Sequence, residues 1–113
     1  MYKALTLAQR HFVQHHQKRE DEIQTLQENI EYGIRVSKEI SSLRALLQGD
    51  YNKTMAICQL GTLDKELNRR LTILRSMNQK NLSPNCLIKR NELTARFTND
   101  VKKVQQLIKM VSK

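Results

Sequence analysis

The sequence predicts an all-α fold, an antiparallel up-down-up three-helix bundle with a long first helix, and three observations carry that prediction. Apolar residues recur at steps of three and four over nearly the whole length, the spacing that lays a stripe along one face of a helix. One proline and three glycines in 113 residues leave long runs of good helix formers uninterrupted. The two clusters of breaking residues, around Gly49 and around Ser83-Pro84, cut the chain into three amphipathic pieces, about 2–47, 51–79 and 84–112. No Gly/Ser/Pro-rich linker separates them, so residues 1–113 are read as a single domain. The aromatic residues are Tyr2, Phe12, Tyr32, Tyr51 and Phe97, with no Trp, so Leu, Ile, Val and Met must fill the core, as in helix bundles.

The first piece begins a stripe with Leu5, Ala8 and Phe12, which the polar run Gln14 to Glu22 interrupts. That run holds no breaker, so one continuous helix is expected, its first four turns projecting past the bundle or folding back over it. Ile23, Leu26, Ile30, Ile34, Ile40, Leu43 and Leu47 carry the stripe onward. Gly33 costs about 1 kcal/mol relative to Ala inside a helix, and its presence reads as a close helix contact or mild bend. Gly49 suits the left-handed residue that ends a helix, and Asp50 suits the cap of the next. So short a connection makes the first two helices antiparallel neighbours.

In the second piece Leu60, Leu63, Leu67, Leu71, Leu74 and Met77 form the strongest stripe in the chain, about five turns long. This helix is expected at the centre of the bundle, with both neighbours packed on it. Gly61, one step from the stripe, suggests a close backbone approach. Ser83 before Pro84 is a cap followed by a proline at the first helical position, where no hydrogen bond is lost. Leu87, Leu93, Phe97, Val101, Val104, Ile108 and Val111 then continue at helical spacing.

Chemistry is sparsely signalled. His11 and His15 share a helix face at metal-clamp spacing, with His16 beside them, but no third ligand lies within a turn, so surface polar residues are the reading and no metal or other cofactor is expected. Glu20-Asp21-Glu22 follows Lys18-Arg19 directly, and adjacent helical positions diverge, so a solvated, internally neutralised face is favoured over paired catalytic carboxylates. No phosphate loop and no nucleophile beside a base can be assembled, and catalytic residues are expected to be none. Cys58 and Cys86 fall on different elements and read as buried reduced thiols of a cytosolic protein, which leaves the sequons at Asn52 and Asn81 without meaning. The chain has no apolar run of membrane-crossing length and no secretory leader at its start. The expected location is cytoplasmic, with a position peripheral to a membrane as its variant.

Charge is placed asymmetrically. Residues 1–50 carry seven Lys/Arg against seven Asp/Glu, and residues 51–113 carry thirteen against four, so the whole net charge of +9 resides in the second part. The basic residues here include Lys80 and Lys109, and of them Lys65, Arg69, Arg70, Arg75, Lys89, Arg90, Arg96, Lys102 and Lys103 are the candidate partner-binding set. Their partner would be acidic: a protein surface, anionic lipid or nucleic acid. Aromatic residues for base stacking are not interleaved with them, which disfavours nucleic acid. A membrane-surface role is disfavoured because these residues sit on helices whose apolar faces are needed for the core.

The portion LGTLDKELNRRLTILRSMNQKNLSPNCLIKRNELTARFTNDVKKVQQLI, residues 60–108, resembles the second and third helices of the N-terminal regulatory domain of syntaxin-like SNARE proteins, particularly the Qc type. In that family the third helix opens with a charged segment of Arg and Leu leading to an aromatic or apolar position, and the corresponding residues here are Arg90, Leu93 and Phe97. The first helix is longer than that family's usual one, and no SNARE coiled-coil segment or membrane anchor follows within these residues. The resemblance therefore implies an isolated regulatory domain or an atypical member. It also implies regulation of vesicle fusion by docking a tether, another SNARE regulator or the SNARE helix onto the bundle. The residues alone imply a non-enzymatic helical protein–protein interaction module, presenting a groove or a basic helix face to a helical or acidic surface. The alternatives are a subunit of a larger coiled-coil assembly, such as a tether, kinetochore or secretion-system component, in homo- or hetero-oligomeric form, and a small basic nucleic-acid-binding protein.

Overall fold

The computed structural model describes residues 7–77, 80 and 82–113, with side-chain surroundings from residue 21 onward. The early stripe at Leu5, Ala8 and Phe12, the three histidines and most of the polar run to Glu22 lie outside the residues whose side chains are described, as do the predicted helix ends at residues 2 and 79. Three α-helices follow in order, α1 (Leu7–Leu46), α2 (Lys53–Ser76) and α3 (Pro84–Ser112), with no strand among the described residues. The fold is the predicted all-α three-helix bundle, and α3 has the predicted bounds.

The boundaries follow from local chemistry. Ser83 accepts from the Cys86 amide at 3.3 Å through its hydroxyl oxygen, and Pro84 stands at the first helical position, as its fixed φ favours. The start of α2 corrects the sequence reading: the cap is Asn52, whose side-chain oxygen accepts from the Met55 amide at 3.1 Å, and not Asp50. The end of α1 corrects it too, because no glycine has a positive φ. Instead the Gln48 and Gly49 amides donate to the Ala45 and Leu46 carbonyls, each at 3.2 Å, closing α1 with a tightened last turn.

Cross-helix contacts fix the topology. Leu26 and Cys86 line one cleft, and Gly33 lies against Phe97, so α1 and α3 run parallel. Arg90 reaches the Leu74 carbonyl, so the start of α3 lies beside the end of α2. The leucine stripe of α2 is buried as predicted, with Leu60, Leu67 and Leu74 fully enclosed. The shared helix, however, is α3 rather than α2. It packs extensively on both neighbours, whereas α1 and α2 touch over a short stretch.

The buried positions are more regular than the apolar pattern suggested. On α1 they are Leu26, Asn29, Gly33, Val36, Ile40 and Leu43, with Leu47 half-buried, at alternating steps of three and four, and Tyr32 is buried beside Gly33 outside that series. On α3 they are Arg90, Leu93, Phe97, Asp100, Val104, Leu107 and Val111, again alternating, with Cys86 half-buried one step before. This is the seven-residue repeat of helices packed by knobs into holes. It displaces the predicted stripe: Ile23 and Ile34 are exposed, whereas Val36 and Leu107, which the sequence reading omitted, are core. Cys58 is exposed and Cys86 half-buried, against the expectation that both thiols would be buried.

Gly33 and Gly61 separate on packing. A Cβ at Gly33 would stand 3.3 Å from Cε1 of the fully buried Phe97, the close contact that was expected. A Cβ at Gly61 would meet nothing within 4 Å, so no close approach requires that glycine. Gly61→Ala is therefore expected to stabilise the protein by about 1 kcal/mol from helix propensity and the lower entropy of the unfolded chain. Gly33→Ala should gain less or lose, because Phe97 has no room to retreat. Denaturant midpoints at constant slope read both, and equal gains at the two sites would refute this account of Gly33.

Candidate interaction surface

The basic residues divide into those that hold the helices together and those that face outward. Arg70 lies over Tyr32 of α1, its guanidinium carbon 3.8 Å from the ring centroid. The same guanidinium donates to Asn29 Oδ1 at 3.2 Å and to Glu66 Oε1 at 2.8 Å. Asn29 is buried and donates in turn to the Thr25 carbonyl at 2.8 Å. Tyr32 meets Phe97 edge-on at 5.7 Å, so this polar layer touches all three helices.

Arg90 is buried and donates to the Leu74 carbonyl at 3.4 Å and to Asn91 Oδ1 at 2.8 and 3.2 Å. It places a cation beside the last turn of α2, where carbonyls lack helical partners. Arg96 crosses to α1, donating to the Gly33 carbonyl at 3.1 Å and to Ser37 Oγ at 2.8 Å. Arg70, Arg90 and Arg96 thus belong to the packing between helices, a role that the sequence reading did not assign to them.

The other members of the candidate set, Lys65, Arg69, Arg75, Lys89, Lys102 and Lys103, are exposed. Arg69 is held by Glu66 through two hydrogen bonds, at 2.7 and 3.0 Å, and Lys89 stands 3.7 Å from Glu92. Lys65 and Arg69 share one face of α2, with Arg75 about a third of a turn away, and the adjacent Lys102 and Lys103 diverge on α3. They do not form one continuous basic strip.

An apolar groove runs between α1 and α3 instead. Ile23, Leu26, Gln27 and Ile30 on one side, and Asn85, Cys86 and Lys89 on the other, enclose a cleft of about 210 Å³. A second cleft of about 180 Å³ continues from it, lined by Ile30, Lys89, Glu92, Leu93 and Arg96. Ile23 (55 % exposed), Ile34 (50 %) and Ile88 (57 %) stand unpartnered on the same two helices. On α1 the spacing Ile23, Ile30, Ile34 makes a second apolar stripe beside the inner seam. The sequence held the signal, because Ile23 and Ile34 fall outside the strict three-four series that passes through Asn29 and Gly33.

Two carboxyl groups are shifted in opposite directions. Hydrogen bonds from Arg69, then Arg70, hold Glu66 well below the ordinary carboxylate range, at about 2, against a smaller opposing effect of burial. Asp100, 4 % exposed on the α3 seam, has one oxygen with no protein hydrogen-bond partner, and burial pushes its pKa up. Lys103 and Arg96, both on its own helix, offset that rise in part. Asp100 was not among the residues singled out by the apolar pattern, which treats a charged residue as a gap.

Comparison with protein families, characterised proteins and solved structures finds no match to this chain. The residues and their geometry therefore carry the functional reading.

Asp100 gives a pH dependence of definite sign. Its folded pKa lies above the unfolded value, so raising the pH ionises it first in the unfolded chain. Stability should fall as the pH climbs from about 4 through the folded pKa. Glu66 acts oppositely: its contribution is present above its ordinary pKa of 4.5 and is lost as the pH falls toward 2. Asp100→Asn is expected to remove the first slope and to raise stability at neutral pH by on the order of 1 kcal/mol, as relief of a buried unpaired charge does. Melting temperature measured against pH for wild type, Asp100→Asn and Glu66→Gln checks both signs. An unchanged profile in Asp100→Asn would remove the assignment.

Proposed function

We propose that this chain is a non-enzymatic helical interaction module, and that it seats an amphipathic helix of another protein in the groove between α1 and α3. The observation that carries the reading is the second apolar stripe of α1, in which Ile23 and Ile30 line the groove with Lys89 and Arg96 of α3 and the exposed Ile34 continues the row. A helix laid into that groove would bury the isoleucines with residues at i, i+3, i+4 and i+7. Acidic residues on its flank would meet Lys89 and Lys103, each seven residues from Arg96 on either side, the spacing by which charged flanks select partners in coiled coils. Within this class, regulation of vesicle fusion as a SNARE N-terminal regulatory domain is the specific reading, supported by the likeness of residues 60–108.

A second reading, a subunit of a larger coiled-coil assembly, draws support from the alternating three-four spacing of the buried positions, which suits extended helix association. The basic residues support nucleic-acid binding less well, since Arg70, Arg90 and Arg96 are engaged between helices.

Capture from source lysate with wild type and with Ile34→Asp, together with light scattering on the purified chain, tests the proposal. A monomer whose captured protein is lost with Ile34→Asp is the expected result, the loss being tenfold or more for a charge placed in an apolar contact. An obligate oligomer whose stability falls with Ile34→Asp would favour the assembly subunit. The same captured proteins with both variants would overturn the groove.

A further inference from the structure

Apart from Ile88, the exposed large apolar residues outside the groove stripe gather at the opposite end of the bundle. Because α1 and α3 run parallel, their last turns finish together, and antiparallel α2 begins there. At that end Leu46, Tyr51, Met55, Ile57 and Met110 are all exposed, Met55 and Met110 each to 60 %. They come from the last turn of α1, the connection, the first turns of α2 and the last turn of α3. Arg44, Lys53, Lys109 and Lys113 lie among them in sequence, and Asp50 is the acidic residue of this end.

We infer that this end of the bundle docks on an anionic lipid bilayer, with Leu46, Tyr51, Met55 and Met110 entering the interface and Arg44, Lys53, Lys109 and Lys113 meeting the headgroups. The distribution around the end selects the occupant. Positions 55 and 57, two residues apart, diverge by most of half a turn on α2, and Met110 comes from another helix, so a rod-like partner could cover one side only. A planar surface meets the whole ring at once. The composition suits such a surface, with long aliphatic and thioether side chains for the acyl boundary, a tyrosine for the headgroup level and cations for anionic lipid. These apolar residues are not needed for the core, since Leu43, Ala56, Leu60 and Val111 fill it at this level. That removes the objection raised by the sequence, in which the apolar faces of the basic helices were needed for the core.

Co-sedimentation of the purified chain with phosphatidylcholine vesicles holding about 30 % phosphatidylserine, and with pure phosphatidylcholine vesicles, tests the inference at low and physiological salt. Binding to the anionic vesicles alone is expected. Lys109→Gln with Lys113→Gln should weaken it about 25-fold, near fivefold per cation. Leu46→Ser with Met55→Ser should weaken it about tenfold with helicity unchanged by circular dichroism. Ile34→Ser, at the groove, should leave it unaltered. Wild type left in the supernatant with anionic vesicles at low salt would overturn the inference. Binding that ignores the Leu46/Met55 pair while following salt would also overturn it, by reducing the contact to non-specific charge attraction.

Discussion

Phe97 is the residue on which the three helices converge. It is fully buried, its ring edge occupies the notch left by the missing side chain of Gly33, and it meets Tyr32 edge-on. That contact brings α1 close to α3, and the alternating seam of α3 repeats the approach above and below, at Leu93 and Val104. Since α3 packs broadly on both other helices and they touch each other briefly, α1 is held chiefly by what α3 offers it. A bundle of this kind has two faces of different character. The side where α1 and α2 meet is braced by the Asn29–Arg70–Glu66 layer, and the side where α1 and α3 meet keeps an open cleft over the isoleucines.

Four polar side chains, Asn29, Arg70, Arg90 and Asp100, stand on or beside the buried seams. Replacing a well-packed leucine with any of them gives up hydrophobic transfer energy, about 1.5–3 kcal/mol per site. The first three offset the loss by bonds that exist in one register alone: Arg90 finds the Leu74 carbonyl, and Arg70 finds Asn29 across the helix boundary. Sliding either pair by a heptad would leave the same apolar seams in contact and these groups buried without partners, which penalises the shifted state. Asp100 lacks such a bond on one of its oxygens, and its raised pKa expresses that deficit.

The exposed hydrophobic residues sort by position into a groove stripe, in which Ile23 lines the cleft and Ile34 continues along α1, and an end set, Leu46, Tyr51, Met55, Ile57 and Met110, with Ile88 apart from both. Scattered single apolar residues are ordinary on a protein surface, but a stripe along one helix and a cluster at one end of a slim bundle are not scattered. The groove stripe is linear and runs beside the cleft between two helices, a shape for a third. The end set rings three helix termini, a shape for a plane. The two could be occupied at once, because neither set shares a residue with the other.

Three amphipathic segments, their order, the cap at Ser83 and the buried stripe of α2 were legible in the sequence because each depends on neighbours within a few positions. The periodic leucines require a helix with one apolar face whatever lies across from it, and Ser83-Pro84 starts a helix through atoms of its own turn. Which helix became the shared one, and which basic residues turned inward, were decided by partners far away in the chain. Arg70 and Arg75 are alike as letters, yet Arg70 alone meets a tyrosine and an asparagine some 41 positions earlier. Ile34 looked like core and Val36 did not, because hydrophobicity ranks them nearly equally, while the docking of Gly33 on Phe97 rotates one outward and the other in. Periodicity specifies a face to within about one residue, and only the opposing helix says which residue lies at its centre.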